Sequence, residues 1–183
     1  DSSVTGVQTC ALPILVDEKC DIVVGVGFLI NGAIVEGAKA NTGTKFAIVD
    51  QDGKDHGPKG DQYPGTALPN LKGIEFATNQ AAFQAGYLAA GYSKSGKVAT
   101  YGGLNIPPVT IFMDGYTKGV AYYNKQKGKS VKVLGWDPMK KNGTFVGGFS
   151  DQAKALQISK NFEQQGADVI FPVAGGLGAA TAG

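Results

Sequence analysis

Two glycine turns, a lone aspartate and a single histidine are the residues here whose types and spacing could do chemistry. Gly25-Val-Gly27-Phe-Leu-Ile30 follows a β-branched run, and Asp50 stands 25 residues after Gly25. That order resembles a dinucleotide-binding turn, in which backbone N–H groups meet a pyrophosphate and an acid takes the ribose. The sixth position is Ile30 rather than Gly or Ala, so a plain strand-to-helix turn is preferred over nicotinamide binding. Gly176-Leu-Gly178-Ala-Ala-Thr181 has the same near-miss form. As a nest of N–H groups it would hold an anion or a polar ligand atom. Asp114 lies early in an expected helix. It either complements the helix dipole from the exposed side or points into a cleft and accepts hydrogen bonds from a ligand; pattern alone favours the dipole.

His56 shares a polar stretch with Asp52, Asp55 and Asp61, which reads as a solvated loop rather than a metal or catalytic site. Ser93, Ser95, Ser130, Ser150 and Ser159 lack a G-x-S-x-G context, and no G-x-x-x-x-G-K-[ST] loop occurs. Asn142-Gly-Thr144 matches a glycosylation triplet of a kind common by chance. Phe28, Tyr101, Phe112, Tyr116, Trp136, Phe145 and Phe149 fall near expected strand ends or loops. Most belong to the core, with one or two left as stacking platforms for a flat ligand.

Composition removes whole classes. All 17 basic residues are lysine, so the bidentate guanidinium that reads guanine or clamps phosphate is missing. Net charge is only +2, which exerts no pull toward nucleic acid. Cys10, Cys20 and His56 are the only soft ligands, too few for a His/Cys metal cluster. The longest apolar run, residues 22–30, is far short of a membrane span. With 43% hydrophobic and 17% charged residues, the chain is neither disordered nor a coiled coil.

The elements that must position these residues alternate along the chain. Buried strands are expected over 20–28, 45–50, 73–78, 97–101, 131–136 and 168–174. Helices are expected over 31–40, 80–94 (capped by Asn79), 110–127 and 151–165, with a further helix starting at 175. Residues 51–71 read as a long surface loop. Six strands with mostly helical connections make an α/β fold with parallel sheets covered on both faces. Ligands in such folds sit beyond the carboxyl ends of the strands. Residues 4–14, VTGVQTCALPI, match the translation of a common short-read sequencing adapter over eleven codons. Residues 1–14 are therefore expected to be foreign to the gene, which leaves Cys20 without a disulfide partner.

Several runs together resemble the basic membrane protein family, the purine-nucleoside-receptor-like lipoproteins that serve ABC transporters. They are Cys20-Asp-Ile-Val-Val-Gly-Val-Gly-Phe28, Phe46-Ala-Ile-Val-Asp50 and Asn79-Gln-Ala-Ala-Phe-Gln-Ala-Gly-Tyr-Leu-Ala-Ala-Gly91. Two more follow: Gly96-Lys-Val-Ala-Thr-Tyr-Gly-Gly-Leu-Asn-Ile-Pro-Pro-Val-Thr-Ile-Phe-Met-Asp-Gly-Tyr116 and Gly166-Ala-Asp-Val-Ile-Phe-Pro-Val-Ala-Gly-Gly-Leu-Gly178. The resemblance runs from Leu15 to the last residue.

It implies a type I periplasmic-binding-protein fold of two Rossmann-like lobes, truncated at both ends, with lobes at residues 15–78 and 79–183. It implies a purine nucleoside or similar small solute bound between the lobes, an ABC permease as partner, and no catalysis, cofactor or metal. An extracytoplasmic location follows, with membrane attachment only through an N-terminal lipid anchor outside this chain. The ligand-binding residues it carries over are Asp114 and the wall loop Ala174, Gly175, Gly176 and Gly178, with Phe28 on the facing lobe. The family's opening Ser-Phe-Asn-Gln segment, and its later strand with an acidic ribose ligand, have no counterpart here. Two readings from other classes stand beside this one. A nicotinamide-dependent Rossmann enzyme would need a better fingerprint and an acid/base pair. The ligand-sensing core of a lac-repressor-type regulator would need a DNA-binding helix pair upstream.

Overall fold

The computed structural model describes residues 18–57 and 64–181. The segment read as adapter-coded, with Cys10, and also Asp61 lie outside the described residues. The chain divides into two compact units, Asp1–Phe76 and Ala77–Gly183, two residues before the expected boundary.

In the first unit β1 (Ile22–Val26) leads through a three-residue 3-10 turn, Phe28–Ile30, into helix α1 (Asn31–Ala40) and strand β2 (Lys45–Val49). A small antiparallel hairpin, β3 (Lys54–Asp55) with β4 (Thr66–Ala67), comes before strand β5 (Leu71–Ile74). The sheet is parallel in the order β1-β2-β5. Ile34, Val35 and Ala38 of α1 pack on Val23, Phe46, Ile48 and Leu71. Buried Asn70 ties the end of α1 to β5: its Nδ2 donates to the carbonyls of Ala38, Asn41 and Thr44 at 2.9–3.1 Å.

Three expectations are corrected in this unit. The strand expected at 73–78 begins earlier and ends at Ile74, because Leu71 pairs with Phe46 while β2 stops at Val49. The expected loop over 51–71 contains the β3–β4 hairpin. His56 is not solvated: its side chain is 7% exposed and its Nε2 lies 2.9 Å from Asp52 Oδ1. Desolvation raises the Asp52 carboxyl, but the His56 imidazole and the Lys54 N–H outweigh it and hold the pKa below the usual value.

The second unit opens with α2 (Thr78–Tyr92), then β6 (Lys97–Gly102), α3 (Pro107–Lys127) and β7 (Lys132–Leu134). A hairpin of β8 (Trp136–Asp137) and β9 (Asn142–Gly143) follows. Helix α4 (Gln152–Gln164), strand β10 (Val169–Val173) and the one-turn α5 (Leu177–Ala180) close the unit. Its sheet is parallel, in the order β10-β6-β7. The middle strand β6 is buried on both faces. Val98 joins Ala89, Ala90, Tyr116 and Val120 of α2 and α3, whereas Ala99 and Tyr101 join Ala155, Ile158 and Phe162 of α4.

Helices α2 and α3 touch backbone to backbone. A Cβ on Gly86 would strike the Tyr116 carbonyl, and one on Gly119 would strike that of Phe83. The same crossing corrects the expected Asn79 cap. The helix starts at Thr78, its Ala77 cap makes no side-chain bond, and Asn79 lies in the first turn, its carbonyl against Gly115. The double proline occupies the first turn of α3 rather than preceding it, where missing N–H groups cost nothing. The strand expected over 131–136 is interrupted at Gly135, whose φ is 87°.

Candidate ligand site at the strand ends

The carboxyl ends of β6, β7 and β10 bring the glycine-rich segments of the second unit together. Gly103 N–H donates to Val173 O at 2.9 Å and joins β6 to β10 beyond their last paired residues. The chain after β9 returns here: Val146 N–H donates to Gly102 O, and Gly147 N–H to Gly103 O, at 2.9 and 2.8 Å. That return lays the half-buried Phe149 ring across Gly103, where any Cβ would collide with the ring. The same ring lies 3.8 Å from where a Cβ of Gly175 would stand. Residues without side chains thus leave room for an aromatic plate over the strand ends.

Asp114 is not a dipole partner. Because α3 starts at Pro107, Asp114 lies beyond the first turn, which contains no acidic residue; the dipole's influence falls off within that turn. Its carboxylate turns toward the β8–β9 hairpin. Trp136 Nε1–H donates to Oδ1 at 2.9 Å, and the Lys141 ammonium donates to Oδ2. The Lys141 Nζ also lies 6.0 Å from the centre of the Trp136 ring. Trp136 is 5% exposed, so its N–H depends on this acceptor. The Asp114 side chain is 20% exposed and that of Lys141 61%, so the charge faces solvent on the lysine side.

The loop after β10 divides in two. Gly175 and Gly176 are exposed, and Gly175 has the left-handed φ of 58°. Ala174 is buried, and Gly178 turns inward against Pro172. The N–H groups of Leu177 and Gly178 donate back to Ala174 and Gly175 at 3.2 and 3.3 Å. The expected anion nest is therefore partly used up by its own turn. Phe28 belongs to the first unit, half-buried beside a cavity of about 460 Å³ that Asn31, Val35, Glu36, Asp55 and His56 also line.

Sequence reasoning passed over Lys141 and did not single out Phe149. Phe149 had a signal, an aromatic after Gly147-Gly148 with a second glycine pair at 102–103 to receive it. Lys141 had none, because its pairing spans 27 residues. Among the described residues no His/Cys/Asp/Glu group could hold a metal ion, and no helix is long and apolar enough to cross a membrane.

A two-unit α/β chain with glycine-rich strand ends has the architecture of solute-binding proteins, and the chain belongs to a family of that class. The family model described as "ABC transporter substrate-binding protein PnrA-like" matches residues 8–181. The match opens seven residues inside the segment read as adapter-coded. The chain is 32% identical over 154 residues to the "ABC transporter nucleoside-binding protein BmpA" of Lactococcus lactis, covering 84% of this chain and 37% of that protein. It is 29% identical over 162 residues to "Basic membrane protein D" of Borreliella burgdorferi, covering 88% and 41%. A crystal structure of an ABC solute-binding protein from Aeropyrum pernix matches with a TM-score of 0.71 at 24% identity, over 94% of this chain and 44% of that one. That likeness bears out the periplasmic-binding-protein fold. The chain spans about two fifths of the length of these relatives. They are binding proteins rather than enzymes, which sets the nicotinamide reading aside.

Proposed function

We propose that this chain is part of an extracytoplasmic solute-binding protein that captures a nucleoside, purine first, and delivers it to an ABC importer. Family membership supports the class, and the relative named as nucleoside-binding supports the ligand. The observation that carries the reading is the Phe149 ring over Gly103 beside exposed Gly175 and Gly176. A nucleobase needs a flat apolar surface, and a ribose needs polar groups at its edge. In this reading Phe149 stacks the base, and the backbone at Gly175 and Gly176 meets the ligand's polar edge. Ala174 and Gly178 shape that loop from beneath. Asp114 holds the buried Trp136 indole and orients Lys141 at the rim. A permease is the protein partner, and membrane attachment comes through a lipid anchor of the kind that the relatives named as lipoproteins carry.

Thermal shift of a polypeptide extending to the relatives' length tests it, with adenosine, guanosine, inosine, uridine, free bases and sugars as ligands. Purine nucleosides are expected to raise the melting temperature most, and Phe149→Ala to weaken binding by about 1–3 kcal/mol. A shift by sugars alone would remove the reading.

A further inference from the structure

Asn31-Gly32 and Asn142-Gly143 are the two places where glycine follows asparagine in this chain. Such a pair can react with itself. The glycine nitrogen attacks the side-chain amide carbon of the asparagine, and a residue without a side chain leaves that approach open. Where the fold holds the nitrogen decides whether the reaction proceeds.

The two sites differ in this respect. Asn31 opens α1 with helical angles, φ −53° and ψ −46°. It is 8% exposed, and its Oδ1 is buried without a partner. Closing a ring there requires ψ to leave the helical well, which breaks the first turn of α1. Asn142 lies in β9, opposite Asp137. Thr144 N–H donates to Gly135 O at 2.8 Å, so in the antiparallel alternation the next pair, Trp136 and Gly143, exchanges no ladder bonds. The Gly143 N–H donates instead to Asn142 Oδ1, at 2.8 Å. The attacking nitrogen already faces the amide it would attack. Packing also demands glycine here, because a Cβ on Gly143 would strike the Gly135 carbonyl and the Trp136 ring.

We propose that Asn142-Gly143 is a self-modification site, where Asn142 becomes aspartate and isoaspartate while Asn31 is spared. Gly143 N loses its proton and bonds to Asn142 Cγ. The Cγ–Nδ2 bond breaks, and Nδ2 leaves as ammonia with that proton. Water then opens the five-membered imide. Opening at Cγ gives aspartate; opening at the main-chain carbonyl gives isoaspartate, whose main chain is one carbon longer. One water is consumed and one ammonia released, with no oxidation or reduction. Either product puts a carboxylate next to Lys141, whose ammonium Asp114 holds. The isoaspartyl form also displaces Thr144, whose carbonyl accepts from Gly102 N–H at the end of β6, and shifts the backbone against the Trp136 ring.

The test is incubation of the 183-residue chain in mildly alkaline water enriched in heavy oxygen. Peptide mass mapping, an ammonia assay and isoaspartyl methyltransferase labelling read the products. One heavy oxygen and one ammonia per chain are expected, with the label at residue 142 and none at residue 31. In guanidinium chloride, where α1 is unfolded, both residues are expected to take the label. Asn142→Gln would have to close a slower six-membered ring. This variant is expected to lose most of the ammonia release and to keep its Trp136 emission constant through an incubation that changes the wild type. Labelling of residue 31 as fast as residue 142 in the folded chain overturns the proposal. So does an Asn142 amide that survives in the folded chain but converts in guanidinium chloride.

Discussion

Asp114 holds a buried indole with one oxygen and a solvent-facing ammonium with the other. Replacing it by alanine leaves the Trp136 N–H buried without an acceptor, a loss of about 1–3 kcal/mol. Asp114→Ala is therefore expected to lower the urea midpoint and to change Trp136 emission, which is specific because the chain has one tryptophan. Lys141→Met removes the exposed partner only and is expected to change stability by less than about 1 kcal/mol. Equal losses from the two variants would show that the indole bond is not what Asp114 supports. The aspartate itself was legible as a residue worth noting, but its partners were not. They are 22 and 27 residues away, and no local pattern predicts such a meeting.

At the scale of elements, one residue type has opposite consequences in two helices. Gly86 sits where α2 meets the α3 backbone, whereas nothing lies within 4 Å of a Cβ built on Gly32 in α1. Gly86→Ala is expected to destabilise by at least about 1–3 kcal/mol, because a backbone carbonyl cannot step aside. Gly32→Ala is expected to stabilise by about 0.4–1 kcal/mol, through the smaller entropy of the unfolded chain. Chemical denaturation of the two variants checks the sign of each. Elements are also pinned at their ends. Asp168, just before β10, accepts from the Ser93 hydroxyl and the Lys94 and Ser95 N–H groups at 2.6–2.7 Å, closing the turn between α2 and β6. Desolvation raises this carboxyl, but the Ser93 hydroxyl and the Ser95 and Lys94 N–H groups outweigh it and hold the pKa at about 2, against the ordinary 3.8. A folded pKa below the unfolded one means the contribution is complete above about pH 4 to 5. It is lost as pH falls through about 2. Urea midpoints of the wild type and Asp168→Asn are expected to differ at neutral pH and to converge toward pH 2.

For the molecule as a whole, in the nucleoside reading proposed above, the share of the relatives' length that is present sets how tightly a ligand is held. The chain covers 37% and 41% of the two curated relatives, and the contacts that the family resemblance gives to Ser-Phe-Asn-Gln and to the ribose acid have no counterpart in its sequence. Loss of one stacking ring costs about 1–3 kcal/mol, and each lost charged hydrogen bond about 1.5–3 kcal/mol. Since about 1.4 kcal/mol is a factor of ten, a nucleoside that a relative of full length holds at micromolar concentration is expected to bind this chain more weakly than millimolar. Calorimetric titration with inosine and guanosine checks this; micromolar binding would place the decisive contacts within these 183 residues.

The alternation of β-branched runs with helical stripes was enough to determine the α/β class, because burial on two faces and on one stripe leave different periods in a sequence. Helix α1 was readable to its ends, since Ile34, Val35 and Ala38 repeat at helical spacing and Asn41 and Gly43 close the run. The glycine-rich strand ends were readable too, because turns with left-handed or closely approached backbone, as at Gly175 and Gly103, tolerate few other residues. The tertiary structure alone decided the rest. The Asn79 cap gave way to a helix crossing, His56 left solvent for Asp52, and Phe149 came to lie over Gly103. Each outcome rests on contact between segments distant along the chain or on how a loop closes over the core. The energy of such contacts depends on which surfaces meet, a quantity absent from local sequence pattern.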